Sequence, residues 1–231
     1  MKKRIFGIVV LVLMAFSAHA QQPNPASDFR FRERNGEITI TGYQGTTKDV
    51  VIPERINNLP VTIIGQLAFD EEQLTSVVIP NSVTSIEKYA FSKNQLTSVI
   101  IPNSVITIGT RAFNNNQLTS VTIGNSVTVI GNEAFGNNQL TSLTIPNSVI
   151  TIENYAFNNN QLTSLTIGSS VTTIKGGAFL DNQLTSITIP SSVTTIGGEA
   201  FSGNRITSVT VPRSVTVSRT TFDEGVRVTR Q

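Results

Sequence analysis

The chain has 231 residues and a formal net charge of +2, with one histidine, no cysteine and no tryptophan. The absence of cysteine excludes disulfides, thiolate nucleophiles and lipid attachment at a lipobox cysteine. The single histidine, His19, lies within the first twenty residues, so the rest of the chain lacks the residues of Ser-His-Asp sites, Cys-His sites and ordinary zinc sites. We therefore expect no enzymatic activity and no catalytic, cofactor-binding or metal-binding residues.

Residues 1–20 have the pattern of a secretory signal. The basic start MKKR precedes the apolar run IFGIVVLVLMAF and then SAHA, which is typical of a cleavage site. We predict export with cleavage after Ala20, and we expect no transmembrane segment in the mature chain because the apolar run is short. Cleavage changes the formal charge from +2 to −1, so the basic pI of the precursor does not indicate nucleic-acid binding.

Residues 21–60 differ in pattern from the rest of the chain. The stretch QQPNPAS, residues 21–27, is typical of a flexible leader. Next, Asn35-Gly36 stands between two alternating runs in FRFRERNGEITITGY, which strongly indicates a β-hairpin. We predict that residues 28–60 form an N-terminal hairpin cap followed by an atypical first coil.

Residues 61–222 repeat a unit of 22 residues. The string NQLTS begins at Asn94, Asn116, Asn138, Asn160 and Asn182, and phenylalanine recurs at Phe69, Phe91, Phe113, Phe135, Phe157, Phe179 and Phe201. A fixed period of this size predicts stacked coils, each stabilised by its neighbours. Equivalent phenylalanines should then form one internal column, and the repeated asparagines are expected to form a side-chain ladder.

Each unit contains two extended stretches. In LTSVTI the apolar residues Val121 and Ile123 alternate with polar ones, which predicts a short strand, and a proline or glycine then ends it. The following SVTTIG pattern predicts a second short strand, and the Ala-Phe segment predicts a turn or a short helical turn. Residues 223–231 are predicted to be a C-terminal cap or tail. Its arginines are expected to prevent edge-to-edge pairing at the exposed end of the stack rather than to form a docking patch.

This pattern resembles the leucine-rich repeats of the BspA-like, or Treponema pallidum, class. The stretch LTSLTIPNSVITIENYAFNNN, residues 140–160, fits nearly every position of their repeat, and the resemblance covers most of the mature chain. It implies a right-handed leucine-rich-repeat solenoid of short parallel β-strands. The period of 22 in place of 23, and asparagine where the family often has cysteine, are departures that leave this architecture unchanged.

The outward-facing positions of the first strand carry hydroxyl groups in every unit, and we name this set the hydroxyl face. Almost no charge interrupts it, so it is the candidate binding surface, although threonine also simply suits exposed strand positions. Its residues are Thr97, Ser98, Thr119, Ser120, Thr122, Thr141, Ser142, Thr144, Thr163, Ser164, Thr166, Thr185, Ser186 and Thr188.

The resemblance implies a secreted or cell-surface protein that mediates adhesion or protein–protein interaction, with an extracellular or host-matrix protein as partner. One alternative is recognition of an ordered polar surface, a glycan or ice, by the hydroxyl face. Another is a purely structural role in the cell envelope. The residues leave these alternatives open.

Overall fold

The computed structural model describes residues 22–230, and the predicted signal sequence lies outside the described residues. At the N-terminal end, a short 3-10 helix precedes five strands. These elements are the 3-10 helix Ala26–Asp28, β1 Phe29–Arg34, β2 Glu37–Tyr43, β3 Asp49–Val51, β4 Arg55–Ile56 and β5 Leu59–Ile64.

The predicted hairpin is formed by β1 and β2, which pair antiparallel. Asn35 and Gly36 between them both have positive φ, 53° and 77°, as the tight hairpin turn requires. Strand β2 then pairs in parallel with β5, so the hairpin continues into the stack. The segment predicted as a flexible leader is attached at Asn24, whose backbone and side chain both hydrogen-bond to Val51 of β3.

Two rows of short strands run along the rest of the molecule, and most coils contribute one strand to each row, whereas the coil of Thr188 contributes only an isolated bridge to the first row. The first strand row contains β6 Ser76–Val78, β8 Ser98–Ile100, β10 Ser120–Thr122, β12 Ser142–Thr144, β14 Ser164–Thr166 and β17 Ser208–Val211, with β3 before and β18 Arg227–Arg230 after. The second strand row contains β7 Ser85–Ile86, β9 Thr107–Ile108, β11 Val129–Ile130, β13 Thr151–Ile152, β15 Thr173–Ile174 and β16 Thr195–Ile196.

The second strand row forms one continuous sheet with the N-terminal strands. Its order is β1-β2-β5-β7-β9-β11-β13-β15-β16, with β4 attached to β5. The register places each residue opposite its equivalent 22 positions later, so that Ile108, Ile130 and Ile152 lie side by side. The architecture is therefore a leucine-rich-repeat β-solenoid, as the sequence predicts.

The core is one cluster that extends along the whole stack. Its centre is a column of phenylalanine rings with centroids 5.0 to 5.6 Å apart and interplanar angles of 2° to 11°. The predicted column is thus confirmed, and Phe222 extends it at the C-terminal end despite arriving one residue early in the repeat. At the other end the column meets Phe29 and Tyr43 of the hairpin.

The Ala-Phe segment of each coil forms hydrogen-bonded turns rather than a helix. The N–H of Ala90 donates to the carbonyl of Glu87. Tyr89, between them, has a φ of 58°, the positive value that the third position of a type II turn requires. The turns also connect neighbouring coils, because Phe91 N–H donates to the carbonyl of Ala112 at 2.8 Å. The backbone of each turn therefore adds a third line of coil-to-coil hydrogen bonds.

The repeated asparagines bind backbone rather than one another. The amide nitrogen of Asn116 donates to the carbonyls of Phe91, at 2.9 Å, and Phe113, at 3.2 Å. Its side-chain oxygen accepts from the N–H of Leu96 at 3.1 Å. The expected ladder of asparagine side chains is replaced by a buried bridge between two coils, because turn carbonyls inside the stack need donors that the strands do not supply.

Candidate functional site

The hydroxyl face lies on the first strand row, and all fourteen of its residues are exposed. The strands alternate as expected: Ser142 and Thr144 point outward, while Leu143 between them is buried. The structure thus brings the sequence-predicted residues together on one surface. Their role in binding stays a prediction.

Backbone pairing along this face alternates between neighbouring coils. Strand β8 pairs with β10, and β12 pairs with β14, both in parallel. Among the described residues, no strand pairing joins β6 to β8, β10 to β12, or β14 to the coil of Thr188. We call these three places the open interfaces, and successive ones are separated by 44 residues, or two coils.

From β8 to β14 the pairing is found where a glycine ends the later strand. Gly124 and Gly168 end β10 and β14, and a Cβ at either position would overlap the carbonyl of the preceding Pro102 or Pro146. Glycine therefore permits the close approach that pairing requires. At the open interfaces the later coil carries proline instead, at Pro102, Pro146 and Pro190. Proline alone does not prevent pairing, because β3 pairs with β6 although Pro80 follows β6, and Thr188 pairs with Thr210 although Pro212 follows β17.

The threonine hydroxyls of the face follow the same alternation. At the paired interfaces Thr119 and Thr163 donate to the carbonyls of Thr97 and Thr141, both at 3.2 Å. Their equivalents on the later coil of each open interface are Thr97, Thr141 and Thr185, whose hydroxyls make no hydrogen bond within the described residues. These three hydroxyls are therefore available to a ligand.

A shallow groove of about 590 Å³ lies on the face at the open interface between β10 and β12. Ser120, Thr122, Ser142 and Thr144 line it, and Thr166 closes its far side. No charged residue is among its lining residues. The groove therefore suits a neutral ligand that forms hydrogen bonds.

The first open interface differs because it is apolar. Val78 and Ile100 occupy the positions that threonine fills in later coils, and their exposed fractions are 46% and 70%. Both residues interrupt the repeated threonine in the sequence, and this interruption is the signal that identifies them. The alternation of proline and glycine from Pro102 to Pro190 is likewise present in the sequence, but each of these residues alone indicates only the end of a strand.

At the C-terminal end of the face Arg227 lines a second groove together with Thr188, but the charged residues of the regular coils lie at the turns. Three ion pairs join neighbouring coils there: Glu71 with Lys93, Arg111 with Glu133 and Glu153 with Lys175. The hydrogen bonds that Arg111 donates to Glu133 and to the Tyr89 hydroxyl raise the pKa of Arg111. In residues 22–230 no three His, Cys, Asp or Glu side chains are grouped as a metal site would need.

No helix in the described part of the chain is long and apolar enough to cross a membrane. The structure resembles a leucine-rich repeat protein from Bacteroides ovatus, with a TM-score of 0.64 and 22% identity over 87% of this chain and 65% of that one. It also resembles a leucine-rich cell surface protein from Faecalibacterium prausnitzii, with a TM-score of 0.56 and 25% identity over 84% of this chain and 55% of that one. The chain thus spans less than two thirds of the length of either protein.

No curated protein matches the chain. The family model of the BspA-type leucine-rich repeat region matches six copies, over residues 62–183 and 107–225. These matches cover most of the chain and coincide with the stacked coils described above. The chain therefore belongs to the BspA-type leucine-rich repeat family.

Proposed function

We propose that this chain is an exported binding protein whose hydroxyl face contacts an extracellular or host-matrix protein. The observation that carries the proposal is the face itself: fourteen exposed hydroxyl residues on successive coils, interrupted by open interfaces whose threonine donors are unused. Solenoids use such extended surfaces for contacts with other macromolecules. The Faecalibacterium prausnitzii protein is named a cell surface protein, which supports an external location.

The rest of the proposal follows from composition. Residues 1–20 are a signal sequence cleaved after Ala20, so the mature chain carries no histidine or cysteine and acts as a scaffold rather than an enzyme. Its formal charge of −1 offers nothing to attract nucleic acid. The alternation of paired and open interfaces argues against the ice alternative, because a lattice match to ice requires equally spaced hydroxyls.

The location is tested by fractionating cells that produce the full-length chain and by treating intact cells with protease. We expect the protein outside the cytoplasm, with an N-terminus at Gln21. A protein that retains residues 1–20 in the cytoplasmic fraction would contradict export.

Binding is tested on a panel of immobilised extracellular-matrix proteins with the triple variant Thr122→Arg, Thr144→Arg, Thr166→Arg. We expect at least tenfold weaker binding, because the three long charged side chains cover the groove. The matched control places arginines on the second strand row, at Thr107, Thr151 and Thr195, and should bind normally. Equal binding by both variants would show that the hydroxyl face is not the contact surface.

A further inference from the structure

We propose that the free edge of β1, in the N-terminal hairpin, binds an extended strand of a partner protein in which acidic and apolar residues alternate. This surface is separate from the hydroxyl face, so the inference goes beyond the proposed function. It rests on three features of β1: an unpaired edge, a row of unbonded arginines and a partly exposed phenylalanine.

The first feature is the unpaired edge. Strand β1 is at the end of the large sheet, and β2 is its sole strand partner within residues 22–230. The other edge of β1 therefore presents backbone N–H and C=O groups without a neighbouring strand, and an added strand completes such an edge. Phe29–Arg34 is a strand of ordinary length, which is sufficient for this pairing.

The second feature is a row of arginines. Arg30, Arg32 and Arg34 occupy alternate positions and are all exposed, so they share the outward face of β1. Among the described residues none of the three takes part in an ion pair. The guanidinium of Arg30 lies over Gly42 of β2, but no ion pair fixes it there, so it is free to turn toward a strand on the other side.

The spacing of these arginines specifies the partner's charges. Alternate residues of a strand are about 6.7 Å apart, and this distance is the same in the partner strand. A guanidinium binds a carboxylate through two parallel hydrogen bonds, which makes arginine well suited to this pairing. The row therefore favours a strand with a carboxylate at every second residue.

Acidic residues of the hairpin do not cancel this preference. Glu33 occupies the opposite face of β1 by alternation, while Glu37 and Glu87 line a groove of about 560 Å³ with Arg32 and Arg34. Glu37 lies on β2, opposite Arg34. An added strand would thus be about 4.8 Å from the arginine row but about 9.6 Å from β2. The longer distance exceeds the Debye length of about 8 Å, so salt screens the repulsion more than the attraction.

The third feature is the inner face of β1. Phe29 is buried against the rings of Tyr43 and Phe69, whereas Phe31 packs against the core but is only half-buried. An apolar side chain of the partner opposite Phe31 would remove its remaining surface from water, which stabilises the complex. Because inward and outward positions alternate, the partner carries apolar residues between its acidic ones.

The same arginines disfavour a second copy of this chain as the occupant. Two β1 strands that pair antiparallel, with their outward faces on the same side, place arginine opposite arginine. Like charges directly opposite each other destabilise a cross-strand pair. The charged edge therefore opposes self-pairing and remains open to a strand of opposite charge.

The test measures binding of fluorescently labelled peptides of six residues to the purified protein by fluorescence polarisation. We expect EVEVEV to bind at least tenfold more tightly than KVKVKV and at least tenfold more tightly than EEEVVV, which has the same composition and charge but no alternation. Equal binding of EVEVEV and EEEVVV would show that charge alone attracts the peptide and would overturn the proposal. Tighter binding of KVKVKV would also overturn it.

Backbone pairing is tested with two N-methylated forms of EVEVEV, one methylated at every valine and the other at every glutamate. The N–H groups of these two residue types point to opposite edges of an extended strand, so only one set faces β1. We expect one form to bind at least tenfold more weakly than the other. Similar binding by the two forms would contradict strand addition.

Charge recognition is tested with the variant Arg32→Glu, Arg34→Glu, which should bind EVEVEV at least tenfold more weakly and KVKVKV more tightly. Because Arg34 lies opposite Glu37, circular dichroism checks that this variant folds. The neutral variant Arg32→Gln, Arg34→Gln should also lose EVEVEV binding, without a gain for KVKVKV. The matched control Arg205→Glu, Arg213→Glu makes the same change in net charge at exposed C-terminal positions and should bind EVEVEV within twofold of the unaltered protein. An equal loss in the control would contradict recognition by β1.

This inference and the proposed function fail independently. Peptide binding at β1 does not involve the hydroxyl face, so the matrix-protein binding of the arginine variant of that face tests only the proposed function. Sedimentation velocity tests the remaining occupant, a second copy of the chain. We expect no dimer that depends on Arg32 and Arg34, and a dimer that dissociates in the variant Arg32→Glu, Arg34→Glu would overturn the inference.

Discussion

At the scale of single residues, the buried asparagine of each coil connects two coils by hydrogen bonds. We expect Asn116→Ala to lower the free energy of unfolding by roughly 2 kcal/mol, because it leaves the buried N–H of Leu96 without its acceptor and removes one of two side-chain donors from each of two buried carbonyls. These carbonyls belong to Phe91 and Phe113, and they keep the hydrogen bonds from Asn94 and Asn138. Urea denaturation followed by circular dichroism measures the change.

The neighbouring Asn115 provides a matched control. It is exposed and has a positive φ of 54°, a conformation that glycine also adopts freely. We expect Asn115→Gly to change the free energy of unfolding by no more than about 0.5 kcal/mol. Similar losses from Asn115→Gly and Asn116→Ala would show that burial of the bridge is not the cause.

A second residue-scale feature is the positive φ at one turn position of every coil. Glu199 has a φ of 60° at the position where an earlier coil has Gly177. Left-handed geometry costs a side chain of this type about 1–2 kcal/mol, whereas glycine adopts it without steric cost. We therefore expect Glu199→Gly to raise the free energy of unfolding by roughly 0.5–1 kcal/mol, after the larger entropy of the unfolded glycine chain is subtracted.

The control for this prediction is Glu199→Ala, which removes the carboxylate but keeps the Cβ that causes the strain. It should not stabilise the protein. Thermal unfolding of the two variants side by side distinguishes relief of backbone strain from loss of a charge. A stabilised alanine variant would mean that the charge, not the backbone, is unfavourable.

At the scale of elements, the pairing of β8 with β10 depends on Gly124. A Cβ at this position overlaps the carbonyl of Pro102, so Gly124→Ala should push the two strands apart and cost about 1–3 kcal/mol. The N–H of Ile101, which donates to Thr122 at 2.8 Å, should then exchange faster with solvent. Hydrogen exchange at Ile101 therefore tests directly whether the pairing of β8 with β10 is lost.

Proline at an open interface is expected to behave differently. Pro146→Ala should cost at most about 0.4–1 kcal/mol, which reflects the greater freedom of the unfolded chain, because no strand pairing with β10 is present to be broken. Amide exchange at Ile101 should stay unchanged in this variant. Faster exchange at Ile101 in Pro146→Ala would indicate that the two interfaces are coupled.

The C-terminal coil makes stability depend on pH through Asp223. Burial raises the pKa of Asp223, but hydrogen bonds from the Ser202 hydroxyl and the N–H groups of Gly203 and Asn204 outweigh it, so the pKa is lowered. Its folded pKa is below its unfolded value, so its stabilising contribution is complete above the ordinary aspartate pKa of about 3.9 and is lost as pH falls through the folded pKa.

We therefore expect Asp223→Asn and Ser202→Ala each to be less stable than the unaltered protein near neutral pH. Each should also lose less stability on acidification, since a hydrogen bond to the carboxylate is absent. Denaturant midpoints between about pH 5 and pH 2 provide the comparison, because the contribution is lost below the ordinary aspartate pKa. If the two variants lost as much stability on acidification as the unaltered protein, Asp223 would not be the source of the pH dependence.

At the scale of the whole molecule, repetition made most of the fold predictable from sequence. The stacked coils, the phenylalanine column and the exposure of the hydroxyl face follow from apolar positions that recur every 22 residues. The sequence did not predict how Asn116 bonds, because a buried amide has several partners within reach and only coordinates select among them. It also did not predict the open interfaces, because their cause lies in the relation between two coils, such as Pro102 and Gly124, rather than in either one.

The alternation of glycine and proline coils has a consequence for how such a chain changes in length. Unequal recombination within repeated coding sequence adds or removes whole units. Between Pro102 and Pro190, a gain or loss of two units keeps each glycine coil directly after a proline coil, whereas a change of one unit places two coils of the same kind in succession, as at Pro80 and Pro102. Duplication in pairs is therefore the step that preserves the alternating surface of these coils.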